Sequence, residues 1–441
     1  MLDLPAPHSW YPGHMARFAR ILPALLNRTN VVLEVRDSRL PLTSINHKLE
    51  HAIQRWRLER GWDPSNPDRR VFNSMACERI VVFNKRDMVP TWGLEPFRKA
   101  MSSRFPGQHN VFASCQQQRD VRKLHEMLVS IAGRYPYAME MNVLVVGMPN
   151  VGKSTLLNSL RSLGIKGKTA KALQTSANPG LTQALSTRLK LSVSPPVYAF
   201  DSPGVMLPFL GHGPEGAERG VKLALIAGIK EGLYDIEALA AYLLQKLNTL
   251  NPASPAYLAL LPPGTLPVTE LDVFLDILAE RMGMVGKGGV LDRPRAALYF
   301  VRWWRGEGGL IAASTSFVPE ASPALPIGAG GAVIEALDSR ALVEVTTKTG
   351  QPIAPPGWGF DLEWDLGSDE RLPSPEVIQA KMEGCIDRYV AQMAVEEQSD
   401  NNVSVNQRRK IVIAERKAKI AAKAKAMTKA NRAAEARRRR R

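Results

Sequence analysis

The run Gly147-Met148-Pro149-Asn150-Val151-Gly152-Lys153-Ser154-Thr155 carries the densest chemistry in the chain. It has the form G-x-x-x-x-G-K-[ST], a phosphate-cradling loop. Its glycines let the backbone bend and approach a phosphate chain. Lys153 is placed to reach the β- and γ-phosphates, and Ser154 to ligate Mg²⁺. The bland alternative is a chance Gly turn before a helix. The flanks argue against it: Val143 to Val146 is an apolar run suited to a buried strand, and Leu156, Leu157, Leu160 and Leu163 follow at helical spacing. A helix opening there aims free N–H groups at an anion.

A second cluster, Asn84-Lys85-Arg86-Asp87, follows the apolar run Ile80-Val81-Val82-Phe83. A carboxylate at Asp87 accepts from both N1–H and the exocyclic amine of guanine. Adenine would leave it unpaired, at a cost of about 1–3 kcal/mol. Asn84 serves the acceptor edge of the base, and the Lys85 stem packs along the ring. Val111-Phe112-Ala113 leads into Ser114 and Cys115, where a small residue with a free backbone N–H suits the guanine O6. Beyond the phosphate loop, Thr182 in Asn178-Pro179-Gly180-Leu181-Thr182 is placed to close over γ-phosphate and Mg²⁺. Its alternative is an ordinary Pro-Gly turn. Asp201 in Asp201-Ser202-Pro203-Gly204 fits the carboxylate that steadies Mg²⁺, and the Gly204 N–H fits the γ-phosphate.

These elements need a parallel α/β sheet to bring them together, with loops at the carboxyl ends of the strands. Their order is unusual: the guanine and Ser-Cys elements precede the phosphate loop. A domain wired this way is circularly permuted, which a sheet tolerates when the old termini are close and the new ends fall at the surface. The last switch then leads directly into whatever follows.

On these motifs, with Trp10 to Met15, Asp37-Ser38-Arg39-Leu40-Pro41, Asn46 and Lys222-Leu223-Ala224-Leu225, the chain resembles the circularly permuted GTPases that assist large ribosomal subunit assembly, the YlqF and RbgA group. Within that group it looks most like the mitochondrial members. The resemblance covers about residues 8–310. It implies GTP and GDP as ligands, Mg²⁺ as cofactor, and hydrolysis stimulated by the particle and coupled to release. It further implies that Asn150 coordinates an activating K⁺, with closure of the loop by a local hydrogen bond as the alternative. The apolar Val205, standing where many GTPases carry Gln, implies slow intrinsic turnover. The nucleotide-binding set is thus Asn84 to Asp87, Ser114, Cys115, Asn150 to Thr155 and Gly204. Lys153, Thr182, Gly204 and Asn150 are catalytic. Ser154, Thr182 and Asp201 hold Mg²⁺. His14 stays open between a catalytic and a structural histidine.

The chain has 441 residues, a net charge of +16 and three cysteines, Cys77, Cys115 and Cys385, without metal-ligand spacing. That argues for a reducing compartment and against a disulfide framework or a zinc site. No apolar run approaches a membrane span. Residues 408–441 hold fifteen Lys or Arg against two Glu, so most of the excess charge sits in a tail aimed at a polyanion. RNA is the expected target and anionic lipid of the mitochondrial inner membrane the competitor. Residues 1–22 lack both an apolar signal core and a good mitochondrial presequence.

The expected organisation is a permuted GTPase domain over 1–206, mostly parallel with helices on both faces. A small helical domain contacting ribosomal RNA follows over 207–311, with a Gly-rich hinge at 211–220. A partly ordered extension covers 312–400, with a strand at 342–347, and a basic helical or disordered tail covers 401–441. Residues 55–79 read as a charged surface insertion without chemistry. Three functions stay open: a GTPase assembly factor of the mitochondrial large subunit, a GTP-gated RNA-binding scaffold with incidental hydrolysis, and a bacterial or nucleolar relative of the same family.

Overall fold

The computed structural model describes residues 4–7, 10–70, 76–165, 173, 180, 182, 185–314, 356–365, 374–398, 413 and 416. The chain divides into two compact units, Met1–Ala391 and Gln392–Arg441. Of the second, only a helix end and two isolated residues are described, and the fold below is that of the first.

The chain opens with α1 (Gly13–Leu26), β1 (Val31–Asp37) and α2 (His47–Glu59). A hairpin of β2 (Trp62–Asp63) and β3 (Asn66–Arg70) precedes β4 (Glu78–Asn84), α3 (Leu94–Arg104), β5 (His109–Phe112) and α4 (Gln118–Gly133). Then come β6 (Met141–Gly147), α5 (Lys153–Gly164), β7 (Leu189–Ser192) and β8 (Val197–Asp201). Among the described residues these build a six-stranded sheet of order β5-β4-β1-β6-β8-β7. Only β7 runs antiparallel, against β8; the other pairings are parallel.

Strands covered on both faces read as nearly continuous apolar runs, and β1, β4 and β6 do so. The alternation of β1 sends Val31, Leu33 and Val35 into a core shared with Leu124 and Leu128 of α4 and Leu156 and Leu160 of α5. Val32 faces the other way, onto Phe18 and Leu22 of α1 and Leu49 and Ile53 of α2. Helices therefore lie on both faces, and the loops at Asn84–Asp87, Gly147–Lys153 and Asp201–Gly204 open at the carboxyl ends of β4, β6 and β8.

Glu34 interrupts the apolar run and is nevertheless buried. It pairs with Arg36 at 2.7 Å and Arg79 at 2.5 Å. Glu50 of α2 closes the ring, 2.6 Å from Arg36 and also paired with Arg79. Burial opposes its charge, but the two guanidiniums outweigh it and hold the Glu34 carboxyl at about 2. Removing one partner from such a ring would leave a buried charge uncompensated, at about 3–5 kcal/mol.

Several sequence expectations change here. Residues 55–79 are not a surface insertion throughout: Trp56, Arg57, Trp62 and Arg79 are buried. Arg57 lies over the Trp62 ring at 3.9 Å, and Arg60 binds the carbonyls of Thr29 and Ala76. Residues 211–220 are not a hinge, because α6 (Gly213–Leu225) starts inside them. Gly220 is there for closeness: a Cβ would sit 1.9 Å from the Tyr234 hydroxyl. The alternation that begins at Leu185 becomes strand only at Leu189.

After α6 come α7 (Ile236–Leu250), α8 (Leu271–Arg281), α9 (Arg293–Trp303) and α10 (Gly309–Ser314). Of these, α7, α8 and α9 pack around Tyr257, Phe274 and Phe300, with Phe274 and Phe300 4.6 Å apart at their ring centres. The strand expected at 342–347 lies outside the described residues. Within the extension, β9 (Gly357–Trp358), β10 (Leu362–Glu363) and α11 (Pro375–Gln398) are described. Trp358, Phe360, Leu362, Ile378, Met382 and Ile386 are buried, so this part is built into the core.

Candidate nucleotide-binding site

The phosphate loop joins β6 to α5 as the motif requires. Gly147 takes φ +146°, and a Cβ there would lie 2.2 Å from the Val35 carbonyl oxygen, so only glycine fits beside β1. Lys153 is buried and folds back on its own loop, donating to the Met148 carbonyl at 2.7 Å and the Gly147 carbonyl at 3.3 Å. Burial lowers its pKa to about 8, with Asp201 pulling the other way. Ser154 Oγ donates to Asp201 Oδ2 at 2.5 Å. The other oxygen, Asp201 Oδ1, is buried without a partner among the described residues, and burial raises this carboxyl's pKa against Lys153 and Ser154. A hydroxyl touching a buried carboxylate with one open oxygen is a hard oxygen donor set, which fits Mg²⁺.

Gly204 lies directly on the phosphate loop, where a Cβ would sit 2.6 Å from Pro149 Cα. The backbone is fastened there: Val205 N–H donates to the Gly147 carbonyl at 3.1 Å. Asn46 caps α2, accepting from the Lys48 and Leu49 amides, and its Nδ2 donates to the Val205 carbonyl at 3.0 Å. The Val205 side chain is buried in the core with α1 and α2. Asn150 sits at φ +59°, and its Nδ2 donates to the Ile226 carbonyl just past α6, at 3.1 Å. That is a link to the helices, not the local closure considered as its alternative. Thr155 is exposed and Thr182 half-buried. Of the loop holding Thr182, Pro179 and Leu181 lie outside the described residues, as does the basic stretch 166–171.

At the guanine end, Asn84 Nδ2 donates to the Val151 carbonyl at 2.8 Å, and its Oδ1 lies 3.4 Å from Cys115 Sγ. Lys85, at φ +59°, spans the site by donating to the Asn150 carbonyl and to Asp37 Oδ2, both at 3.0 Å. Asp87 Oδ1 is buried without a partner among the described residues. A bare carboxylate oxygen is what the paired donors of guanine need. Cys115 is pushed up to about 11, chiefly by burial.

Two residues differ from expectation. Arg86 does not face a ligand: its guanidinium grips Asp120 and Gln117 at the start of α4. The Ser114 N–H is not free, because it donates to Asp120 Oδ2 at 2.9 Å. Arg86 and Asp120 thus shape the loop from behind. Asp120 carried no motif signal; it lies in the first turn of α4.

The Asp37-Ser38-Arg39 segment is a support for Lys85. Asp37 is fully buried; Arg39 Nε and Nη2 each donate to it at 2.9 Å. Burial opposes its ionisation, but Arg39 and Lys85 together hold the carboxyl well below the usual range. The N-terminal aromatic segment lies against Gly180: a Cβ there would sit 3.6 Å from the Trp10 ring and 3.9 Å from His14 Cε1. His14 Nε2 is buried with no partner among the described residues.

A mostly parallel sheet with a phosphate loop after β6, and the Asn84–Asp87 and Asp201–Gly204 loops beside it, has the architecture of a P-loop GTPase. Residues 142–247 match the family described as 50S ribosome-binding GTPase. The chain is 28% identical to Mitochondrial GTPase 1 of Schizosaccharomyces pombe, across 68% of this chain and 87% of that one. It is 30% identical to Mitochondrial ribosome-associated GTPase 1 of Mus musculus, across 54% and 66%. GNP-bound YlqF from T. maritima aligns with 68% of this chain and 95% of its own at 20% identity, with a TM-score of 0.40, too low to carry weight. The chain carries a circularly permuted P-loop GTPase domain and is similar to these mitochondrial GTPases.

Proposed function

We propose that this GTPase assists assembly of the large subunit of the mitochondrial ribosome, with hydrolysis stimulated by the particle and coupled to release. The observation carrying the nucleotide part is a pair of carboxylate oxygens with no partner among the described residues, Asp87 Oδ1 at the base end and Asp201 Oδ1 at the phosphate end. The names of the relatives supply the partner and the compartment.

In this reading Asn84, Asp87 and the Cys115 amide select guanine. Lys153 leaves the Met148 and Gly147 carbonyls for the phosphates, and the amides of Val151 to Thr155 line the chain. Ser154, Thr182 and Asp201 hold Mg²⁺, which when bound neutralises charge across the β- and γ-phosphates. Asn150 offers Oδ1 to K⁺, since its Nδ2 is engaged with Ile226. The Gly204 amide meets the γ-phosphate, and the Thr182 and Asp201–Gly204 loops order around it. Val205 is buried and apolar, so no side chain there orients the attacking water. An external surface must complete the site, which is how the particle would stimulate turnover.

Helices over 207–311 are the proposed contact to ribosomal RNA. The tail after 401 adds phosphate contacts, with peripheral binding to anionic inner membrane as its second use. The burial of Val205 equally favours the scaffold reading, in which GTP gates RNA binding and hydrolysis is incidental. GTP turnover in KCl, with and without purified large mitoribosomal subunits and beside Lys153→Ala, separates the two. Stimulation lost in the variant supports the assembly GTPase. GTP-dependent binding without stimulation overturns it in favour of the scaffold.

A further inference from the structure

We propose that residues 356–365 are a positioning segment for guanine recognition, holding the Asn84–Asp87 loop from both of its shoulders. The proposal rests on the reading of Asp87 as the carboxylate that meets the base.

The far shoulder is the turn after the motif. Trp358 Nε1 donates to the Pro90 carbonyl at 2.9 Å across 268 residues of sequence. Its ring stacks on Phe97 of α3 at 5.2 Å. Gly93 makes room for it, since a Cβ there would lie 2.2 Å from the indole. The 3₁₀ turns Arg86–Met88 and Thr91–Gly93, which carry Asp87 and lead away from it, are thereby pinned at their distal end.

The near shoulder is the support of Lys85. Phe360 N–H donates to the Arg39 carbonyl at 2.9 Å. The Phe360 ring stacks on Trp304 at 4.9 Å, and the Arg39 guanidinium lies over that same Trp304 at 4.8 Å. Arg39 holds Asp37, and Asp37 holds Lys85. Next to them Asp361 Oδ2 accepts from the Leu42 and Thr43 amides at 2.9 and 2.7 Å, and Oδ1 from the Thr43 hydroxyl at 2.6 Å. Lys222 of α6 lies 3.3 Å from the same carboxylate. One short segment therefore fixes the loops on both sides of Asp87 and ties them to the helices.

No residue of 356–365 is placed to touch the nucleotide; the segment acts through the placement of Asp87. Base discrimination is the readout that a merely stabilising role would not move. Inosine diphosphate keeps N1–H and O6 of guanine but lacks the exocyclic amine that Asp87 also meets. The experiment uses the full chain with Trp358→Leu, Trp358→Phe and the isosteric Asp361→Asn. Release of fluorescent GDP and IDP is timed by stopped flow, and melting temperatures are measured alongside. Trp358→Leu and Asp361→Asn are expected to speed GDP release about tenfold, the scale of one hydrogen bond to a charged group. IDP release should change about twofold, and Trp358→Phe, which keeps the stack, should fall between. If Trp358→Leu does not fold, Asp361→Asn decides alone. Variants that keep the wild-type GDP-to-IDP ratio, whatever their melting temperatures, overturn the positioning segment. A wild type that releases both nucleotides at one rate overturns the Asp87 reading, and the proposal with it.

Discussion

The two ends of the nucleotide site are held in different ways. The phosphate loop largely holds itself: its lysine rests on its own carbonyls and its glycine fits against a neighbouring strand. The guanine loop is held by others. Asn84 and Lys85 bond to the phosphate loop, Lys85 and Arg39 both bond to Asp37, and Trp358 bonds to the turn beyond. A self-contained loop recurs as a compact motif. A loop held from a distance leaves only its contact residues in the sequence, while its supports scatter.

The largest test breaks the self-held end. Lys153→Ala should lower GTP turnover by about 100-fold or more, the scale of removing a donor from developing charge. Phosphate-release assays at saturating GTP check this. An effect under tenfold would remove Lys153 from the chemistry. Asp87→Asn strikes the base contact. It should lose GDP affinity by roughly 10–100-fold, as expected for an unmade hydrogen bond to a charged group, and should favour xanthosine diphosphate. Competition titration with the two nucleotides reads the exchange, and unchanged preference would contradict the assignment.

Arg39→Lys probes the support rather than the contact. A lysine cannot keep the two-pronged grip on Asp37 or the stack on Trp304. GDP affinity should fall about tenfold, through faster release. Equal release from variant and wild type would show that the guanine loop stands without Arg39.

The smallest effect is a pH dependence that belongs to the phosphate end. Without nucleotide, Lys153 loses its proton through a pKa of about 8. Phosphate holds the proton on, so binding takes one up as pH rises past 8, and affinity is full below that value and falls above it. The linkage amounts to about threefold between pH 7.5 and 8.5. Calorimetry in buffers of different ionisation enthalpy should show proton uptake at pH 8.5 and little at pH 7. The absence of uptake would mean that Lys153 stays charged in the empty loop.

The GTPase class was legible because each motif is local: strand, loop, then helix. The permuted order was legible too, since it needs only the sequence positions of those motifs. The engagement of the Ser114 amide was not, because it depends on Asp120 turning back from α4 to take it. Nor was the fate of Arg86, which a motif letter marks as variable and the fold spends on Asp120. The glycines of 211–220 read as freedom when one of them marks close packing. Residues 356–365 look like loop composition, and their burial follows from partners up to 319 positions away.

The strand order also sets a timetable for synthesis. β1, β4 and β5 form one half of the sheet and are made before any of β6, β7 or β8. Until β6 leaves the ribosome, the Val31–Asp37 strand is an edge, apolar and unpaired on one side, of the kind that recruits other chains. At about 5–20 residues per second the interval is on the order of ten seconds. The nascent half-sheet therefore depends on chaperone cover, or on rapid elongation through residues 113–141, to reach its own second half before it meets a neighbour's.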